Sequence, residues 1–472
     1  MFTTCESALF SFTRQKMPLE LLDRLNLKIS SRTMYSKKHG QTLDTKDSLT
    51  FPSLRVLSDL LRAILEQLRP CDRLSIVNLQ RDGKQATMTR LTSKTWSGWE
   101  RVLKLNSAQS NYAAPSLFEG IQAAICCLVA EQSAQRASKL LLVSDIVDHV
   151  YLSQSNVDNI TSGAIANGVS IYSLGVGLHY NADLLSSLSR RTSSLYVYVK
   201  HCSQLRECMA AIFYSFQTIQ LARVRLLLRS PASSFQIVSS HCSYLIPTPD
   251  DKEGMDIDIG DLMSGEVKDI LVNIEILPSS KASAVSKRYK VQQIDVYQFP
   301  LLQFWLSSSE SRRSSIISVP FDCFSDLPAS TLSIIQLPIV RRQVEIRISH
   351  LLEQALSWAR KGQQKNAEEL LKDIQELVNN TKIGLRSAYC KRVPVSMHDI
   401  EGSSSRLLVA LCYDLNNFAE WIKYPEVFAQ HWRKSVLQAI DAVSLQRSFT
   451  TDTWVEAYLL GLRRKAKGHR ES

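Results

Sequence analysis

Acidic side chains between Asp250 and Asp261 could bind Ca²⁺. The segment reads DDKEGMDIDIGD and holds six carboxylates, the ligand type that this cation prefers. Met255, Ile257 and Ile259 alternate with the acids, however, and alternation of apolar and polar residues indicates a half-buried strand. The pattern therefore favours the edge of a strand over a calcium-binding loop.

The ten cysteines and nine histidines form no motif that indicates catalysis or a tightly bound metal. No two cysteines have the C-x-x-C spacing of zinc ribbons and redox pairs, and neither H-E-x-x-H nor a nucleophile elbow is present. Gly175 and Gly177 follow a strand-like stretch but lack the third glycine of a dinucleotide-binding loop. We therefore predict a protein without enzymatic activity. Reduced core cysteines favour an intracellular location, in the cytoplasm or the nucleus.

The chain carries a surplus of positive charge. Its 56 Lys and Arg residues against 45 Asp and Glu residues give a formal net charge of +11, which would attract nucleic acid, an acidic protein or an anionic membrane surface. A C-terminal cluster of cations comprises Arg463, Arg464, Lys465, Lys467 and Arg470. Because aromatic residues are not interleaved with a basic stripe, we do not expect specific nucleic-acid binding. The apolar stretch at 121–130 is too short to span a membrane.

Strand-like and helix-like segments alternate between residues 54 and 216. The apolar runs KLLLVS at 139–144 and VSIYSLGV at 169–176 are typical of strands covered on both faces. Further strands are predicted at 73–79 and 195–200. Amphipathic patterns predict helices at 54–68, 116–131, 156–167, 182–191 and 204–222. This alternation predicts an α/β fold with an open, doubly wound parallel sheet.

The pattern changes twice beyond residue 222. Strand-like runs separated by loops rich in Pro, Ser and Asp predict a small antiparallel β domain of the sandwich type. These runs lie at 223–229, 234–238, 255–260, 267–277 and 289–297. The polar stretch at 307–315 predicts a loop or linker. From residue 339 onward helices are predicted at 344–361, 366–378, 406–421, 427–446 and 453–464, and Gly362 separates the first two.

Phrases of the sequence resemble those of a von Willebrand factor A (vWA) domain, in the same order. They are LEQLRPCDRLSIV at 65–77, LFEGIQAA at 117–124, LLLVSD at 140–145 and IYSLGVGLHYN at 171–181. Two later phrases are similar to the β domain and the vWA-interacting C-terminal domain of plant vWA–RING ubiquitin ligases and fungal vWA/Hint proteins. They are GMDIDIGDLMSGEVKDILVNI at 254–274 and ALSWARKGQQKNAEELL at 355–371. RING, U-box and Hint modules are not expected in this chain.

The resemblance implies a division of the chain into five segments. They are a divergent N-terminal segment with a degenerate first strand and metal loop (1–50), a vWA-like α/β domain (51–221), a β-sandwich-like domain (222–306), a linker and loop (307–338) and a helical vWA-interacting domain (339–472). The best candidate for the first strand, at 22–29, carries Asp23, Arg24 and Lys28. A central strand that is buried on both faces does not favour these charges.

The resemblance also implies candidate ligands for Mg²⁺. A vWA domain usually binds this ion through an Asp-x-Ser-x-Ser motif, a Thr in a later loop and an Asp after the fourth strand. Asp145 matches the last position, and Ser116 offers a hydroxyl in a loop, NYAAPS, that lacks Thr. The first motif falls either on KISSR, which contains Ser30, or on DTKDS, which contains Ser48.

Both alignments of the first motif put a cation in or beside the metal position. Lys28 and Arg32 flank Ser30 in one alignment, and Lys46 replaces the central Ser in the other. A cationic side chain there would repel Mg²⁺ strongly. We therefore expect Ser30, Ser48, Ser116 and Asp145 to be vestiges of a metal site and expect no cofactor; Asp145 would then cap a loop at the edge of the sheet.

These observations predict a non-enzymatic protein–protein interaction module built on a vWA domain. Loops around 30–50, 108–116, 145–155 and 176–182 would contact a protein partner. One alternative is a substrate-binding adaptor in a ubiquitin-ligase pathway, which the resemblance to vWA–RING proteins implies. A second alternative is a Mg²⁺-dependent ligand-binding protein of the adhesion type.

Overall fold

The computed structural model describes an N-terminal segment and much of the chain from residue 59 to residue 446. The described residues are 5–11, parts of 59–78, 87–88, parts of 93–103, 117–130, 138–144, 154–177, 180–200, 204–217, 219–229, 235–240, 245–246, 254–263, 268–276, 287–291, 294–308, 311–324, 337–390, parts of 411–424, and 431–446.

Strands and helices are numbered separately in chain order. The strands are β1 (Cys5–Ser11), β2 (Val77–Asn78), β3 (Thr87–Met88), β4 (Ser138–Ser144), β5 (Val169–Val176), β6 (Tyr196–Val199), β7 (Ile219–Arg229), β8 (Phe235–Ser240), β9 (Leu245–Ile246), β10 (Gly254–Met263), β11 (Asp269–Ile276), β12 (Lys287–Val291), β13 (Ile294–Ser308) and β14 (Ser311–Phe324). The helices are α1 (Trp99–Leu103), α2 (Leu117–Ala130), α3 (Gln154–Ala166), α4 (Ala182–Arg191), α5 (Leu205–Gln217), α6 (Leu337–Arg360), α7 (Gln364–Cys390) and α8 (Arg433–Leu445).

A parallel sheet of three strands in the order β4-β5-β6 forms the centre of the α/β region. Strand β5 lies between the other two and is buried along its whole length, which explains why its sequence, VSIYSLGV, carries no charged residue. The predicted parallel sheet is confirmed, and β5 and α4 have the bounds that the sequence predicts.

Helices cover both faces of this sheet. On one face Ile171 of β5 packs into a core with side chains of α2, α3 and α4. On the other face Tyr172 and Leu174 pack with α5 and with Ile64, which lies in a helical stretch around 59–66. Successive side chains of a strand point to opposite faces, so the alternation of these residues between the two cores confirms a doubly wound α/β arrangement.

The boundary between the parallel and antiparallel regions lies earlier than predicted. The sequence predicts a helix at 204–222, but α5 ends at Gln217 and β7 begins at Ile219. Ala222, Val224 and Leu226 are fully buried in β7, which pairs with β10. The apolar residues of this segment fit a helix or a strand, and pairing with β10 stabilises the strand.

Two antiparallel sheets follow, as predicted for this region. One has the order β12-β13-β7-β10-β9, with β14 paired to β13, and the other has the order β1-β11-β8. Strand β1 pairs with β11 along its whole length, from Cys5 opposite Glu275 to Ser11 opposite Asp269. Residues 5–11 therefore belong to the antiparallel region, and the predicted first strand at 22–29 lies outside the described residues.

The structure differs from the linker predicted at 307–338. Residues 294–308 and 311–324 form the antiparallel strands β13 and β14. Strand β14 reads SRRSSIISVPFDCF, and its polar first half resembles a loop. Among the described strands it pairs only with β13, along one edge. The strand predicted at 73–79 also differs: β2 spans Val77–Asn78 and pairs with β3.

The helical region is built on an antiparallel pair, α6 and α7. Their turn contains Gly362 at φ +75°, a conformation that suits glycine and confirms the predicted break. Both helices are longer than predicted, beginning at Leu337 and ending at Cys390. Apolar side chains of α6, α7 and α8 join those of α2, α3 and α4 in one continuous core. None of the described helices is long and apolar enough to cross a membrane.

The core beneath the parallel sheet allows a matched test on α3. Ile160 is 5% exposed and Ile165 is 41% exposed on the same helix. We expect Ile160→Ala to lower the free energy of unfolding by about 2–5 kcal/mol, because it leaves a cavity. Ile165→Ala should change it by less than about 0.5 kcal/mol. Urea denaturation followed by circular dichroism measures both, and equal losses would contradict the assigned core.

Candidate functional site

The candidate site lies at the carboxyl ends of the parallel strands, named here the carboxyl edge. Ser144, Val176 and Val199 end β4, β5 and β6. Parallel strands bring these ends to one side of the sheet, which is where open α/β sheets bind their ligands. The opposite side, where the strands begin, is named the amino edge.

The four predicted metal ligands, Ser30, Ser48, Ser116 and Asp145, lie outside the described residues. Within the part of the chain that the structure describes, no group of three or more His, Cys, Asp or Glu side chains could hold a metal ion. The vestigial magnesium site therefore stays a prediction. Its donors, one carboxylate and a few hydroxyls with cations beside them in the sequence, are a poor match to Mg²⁺.

Three tyrosines form a cluster near the carboxyl edge. The hydroxyl groups of Tyr180 and Tyr196 are 2.7 Å apart and buried. Burial is the main cause that raises the pKa of both hydroxyls well above the ordinary value, so both stay protonated. A Cβ atom at Gly175 would overlap the Tyr180 ring, which explains why glycine is needed there. Tyr198 packs beside Tyr180, with 6.3 Å between ring centroids.

Helix α8 docks on this tyrosine cluster. The Tyr198 hydroxyl hydrogen-bonds to Nδ1 of His431, and its backbone N–H donates to Oε1 of Gln438 at 2.6 Å. The ammonium group of Lys434 lies 5.5 Å from the centroid of the Tyr180 ring. Burial, together with the charge of Arg433, lowers the pKa of Lys434 to about 8.

Helix α4 is clamped between α6 and α8 by ion pairs at both ends. In its first turn the Asp183 carboxylate accepts hydrogen bonds from Arg360 of α6 and pairs with Arg433 of α8. In its last turn Arg190 pairs with Asp441 at 2.8 Å and with Glu353 at 3.3 Å.

Asp441 is the most deeply buried member of this clamp. Its carboxylate also accepts a hydrogen bond from the Ser186 hydroxyl at 3.0 Å. Burial raises the pKa of Asp441, whereas the charge of Arg190 opposes that rise. The pairing with Arg190 and Ser186 therefore offsets the cost of burying this carboxylate.

The amino edge is joined to β10 by a buried ion pair. The Lys139 ammonium donates to the Asp261 carboxylate, and their side chains are 8% and 2% exposed. Asp261 also accepts the backbone N–H of Arg223 at 3.2 Å. The guanidinium group of Arg223 in turn donates to the carbonyl oxygen of Asn167 at 3.0 Å.

These contacts also explain the acidic run at 250–261. Asp256, Asp258 and Asp261 lie in β10, so the predicted strand is confirmed. The Asp258 carboxylate accepts hydrogen bonds from the backbone of Gly260 at 2.9 Å and from the Ser193 hydroxyl at 3.4 Å. Asp258 and Asp261 therefore hold β10 against the α/β region, and Asp250, Asp251 and Glu253 lie outside the described residues.

The end of α8 joins β11 and α6. Gln446 has φ +53°, and its side chain makes two hydrogen bonds with the backbone of Asp269, at 2.8 and 2.7 Å. Arg341 of α6 pairs with the Asp269 carboxylate. Arg342 donates to the carbonyl oxygen of Val443 at 3.0 Å. Helix α8 therefore contacts all three regions of the chain.

The fold is similar to that of known structures. It is similar to a von Willebrand factor type A protein from Catenulispora acidiphila, with 12% sequence identity and a TM-score of 0.52. The similarity covers 71% of this chain and 78% of that protein. The chain has a vWA-type fold. Other similar structures are the ArnB paralog VWA2 from Sulfolobus acidocaldarius (12% identity, 85% of this chain and 87% of the other, TM-score 0.44) and the human COPII-coat protein Sec24c (12% identity, 85% and 56%, TM-score 0.45).

The likeness to the protein from Catenulispora acidiphila establishes the fold and no more. No family model matches the sequence, and no curated protein matches it. The predicted vWA-type fold is confirmed, whereas the likeness to plant vWA–RING and fungal proteins, and the vWA-interacting nature of the helical region, stay predictions.

Sequence reasoning did not identify the charged residues that the vWA-type fold gathers around α4. Asp183, Arg360 and Arg433 come from three helices that are far apart in the sequence. The amphipathic pattern at 427–446 predicts a helix, but it gives no indication that Lys434 lies beneath Tyr180. In the helix predicted at 427–446, Arg433 and Lys434 lie beyond the first turn, so no local signal in the sequence indicated this cluster.

The buried ion pair at the amino edge yields a stability prediction. Asp261→Asn leaves the Lys139 charge without its buried partner, so we expect the free energy of unfolding to fall by about 3–5 kcal/mol. The double variant Lys139→Met with Asp261→Asn should recover part of this loss, because the unpaired charge is gone. Asp158→Asn is the control, since Asp158 pairs with Arg191 at an exposed site and its loss should lower the free energy of unfolding far less than Asp261→Asn does. A double variant that is no more stable than Asp261→Asn would contradict the assignment.

Lys434 yields a pH prediction. The unfolded chain holds the Lys434 proton up to about pH 10.5, whereas the folded chain releases it near pH 8. Unfolding therefore takes up a proton between these values, and the free energy of unfolding should rise with pH in that window, by the order of 2 kcal/mol.

Comparison with Lys434→Met isolates this effect. From pH 7 to pH 10 the free energy of unfolding of wild type should rise relative to that of Lys434→Met. Lys372→Met is the control, because Lys372 is exposed beside Glu368, and its difference should stay constant. Denaturant titrations across this range measure all three proteins, and a flat difference for Lys434→Met would refute the assigned shift.

Proposed function

We propose that this protein is a non-enzymatic protein-interaction module that contacts a protein partner through its carboxyl edge. The observation that carries the proposal is the clamping of α4 and β6 by α6 and α8. A surface held by ion pairs and hydrogen bonds to neighbouring helices loses little conformational entropy on binding, so it suits recognition. Loops on a rigid scaffold are also the usual carriers of binding function.

The described titratable groups near this edge support a non-enzymatic role. General acid–base catalysis needs an accessible group whose pKa lies near the working pH. Tyr180 and Tyr196 stay protonated, and Asp183 pairs with two guanidinium groups. Lys434 has a pKa of about 8, but its side chain is buried under the Tyr180 ring, where a substrate cannot reach it.

We further propose that binding does not use Mg²⁺. The donor chemistry supports this, because the first metal motif is replaced by KISSR or DTKDS and the Thr of the later loop is missing. The adhesion-type alternative requires that binding depend on Mg²⁺. The role as an adaptor in a ubiquitin-ligase pathway rests on the resemblance alone and stays a prediction.

The proposed function is tested with a partner that has been captured by the full chain and then purified. Hydrogen–deuterium exchange should show that the partner protects peptides covering 145–155 and 176–182. Peptides covering 190–195, at the amino edge, should be unchanged. The affinity, measured by biolayer interferometry, should be the same in EDTA and in millimolar Mg²⁺, because no metal bridges the two proteins.

Calorimetry gives the matching control without a partner. Titration of the full chain with Mg²⁺ or Mn²⁺ should release no binding heat. A micromolar site that is abolished by Asp145→Ala and retained by Asp158→Ala would favour the adhesion-type alternative. Protection confined to the antiparallel sheets would refute the carboxyl edge as the binding surface.

A further inference from the structure

Three cations meet beside the carboxyl edge and are named here the basic cluster: Arg360, Arg433 and Lys434. Arg360 ends α6, and the other two lie in the first turn of α8. Both guanidinium groups contact the same carboxylate, that of Asp183, so they lie side by side. The side chains of Arg360 and Arg433 are 47% and 48% exposed, which leaves several of their N–H groups at the surface.

The fold places the basic cluster next to the proposed binding loops. Asp183 lies in the first turn of α4, which follows the carboxyl end of β5. His431, just before Arg433, contacts Tyr198 near the carboxyl end of β6. The cluster therefore borders the loop at 176–182.

Two guanidinium groups share one carboxylate, and α8 has no acidic residue in its first turn. Helices α4 and α8 both begin here with the positive ends of their dipoles, and these outnumber the one negative end, that of α6. Burial lowers the pKa of Arg433, and the charge of Arg433 contributes to the lowered pKa of Lys434. The surface beside the carboxyl edge is therefore one that an anion would stabilise.

We infer that the basic cluster binds a carboxylate-rich segment of the protein partner. A guanidinium group matches a carboxylate through two parallel N–H···O bonds, and two adjacent exposed guanidinium groups suit neighbouring Asp or Glu side chains. Nucleic acid is less suited, because it needs a longer track of phosphate contacts and aromatic stacking platforms. The formal net charge of +11 also favours encounter with an acidic protein.

This inference rests on the proposed function, since the acidic segment belongs to the partner that contacts the carboxyl edge. It is tested with a fluorescein-labelled peptide of alternating Glu and Ser, and with the same peptide carrying Gln in place of Glu. Fluorescence anisotropy with the full chain should show binding of the Glu peptide only, and the affinity should fall as salt is added.

Variants of the cluster give the decisive comparison. Arg360→Gln with Arg433→Gln should weaken binding of the Glu peptide by about tenfold or more, a change that loss of two charge-assisted contacts produces. Arg191→Gln is the matched control, because Arg191 ends the same helix α4 and pairs with Asp158 at similar exposure; its affinity should equal that of wild type.

The variant Asp183→Asn distinguishes loss of the ligand contact from misfolding. Removing the internal carboxylate exposes the guanidinium groups to the ligand, so the Glu peptide should bind more tightly, which an unfolded protein would not do. Weaker binding by Asp183→Asn, wild-type affinity in the double arginine variant, or equal binding of the Gln peptide would overturn the inference. An oligonucleotide of equal charge that binds more tightly and is lost in the same variants would overturn it in favour of nucleic acid.

Failure of this inference is distinguishable from failure of the proposed function. If the purified partner protects 145–155 and 176–182 yet binds the double arginine variant as tightly as wild type, the basic cluster is not its contact and the proposed function stands. If the Glu peptide depends on Arg360 and Arg433 but the partner protects a different surface, the proposed function fails.

Discussion

The burial of α8 against α4 and β6 is the constraint on which the rest of the structure depends. Its apolar side chains complete the core beneath the parallel sheet, and its polar ones are matched to specific partners, Gln438 to the backbone of Tyr198 and Asp441 to Arg190. A buried carboxylate without its partner would be strongly destabilising, so α8 has one favourable position. That position also sets the contacts of its last turn with β11 and α6.

Charge is distributed differently at the two edges of the parallel sheet. At the amino edge Lys139 and Asp261 are buried and paired, so their charges hold β10 in place and present little field to solvent. At the carboxyl edge Arg360 and Arg433 share one carboxylate and stay half exposed. Paired buried charges serve the fold, whereas exposed surplus charge can be satisfied by a ligand. This contrast is the reason for the proposal that the basic cluster, and not the amino edge, contacts an acidic segment.

Some elements follow from the sequence because their signals are local. Strand β5 is uncharged and mostly apolar, and it is bounded by Gly168 and Gly177, both at positive φ. Helix α4 begins after Asn181, whose side chain accepts the backbone N–H of Leu184. Strand β1 is different, because its partner β11 lies far along the chain. The polar half of β14 resembles a loop when its pairing with β13 is not known.

The sequence by itself determined the order of the α/β elements and the helical hairpin at Gly362, because apolar periodicity and turn residues act within a few positions of one another. The expectation of a vWA-type fold came from the resemblance of whole phrases to that family. The four predicted metal ligands lie outside the described residues, and their interpretation still rests on the sequence. Only the tertiary structure decided that Asp183, Arg360 and Arg433 meet, since each lies on a different helix. The period of a helix shows which face is apolar, but long-range packing decides which charged residues become neighbours.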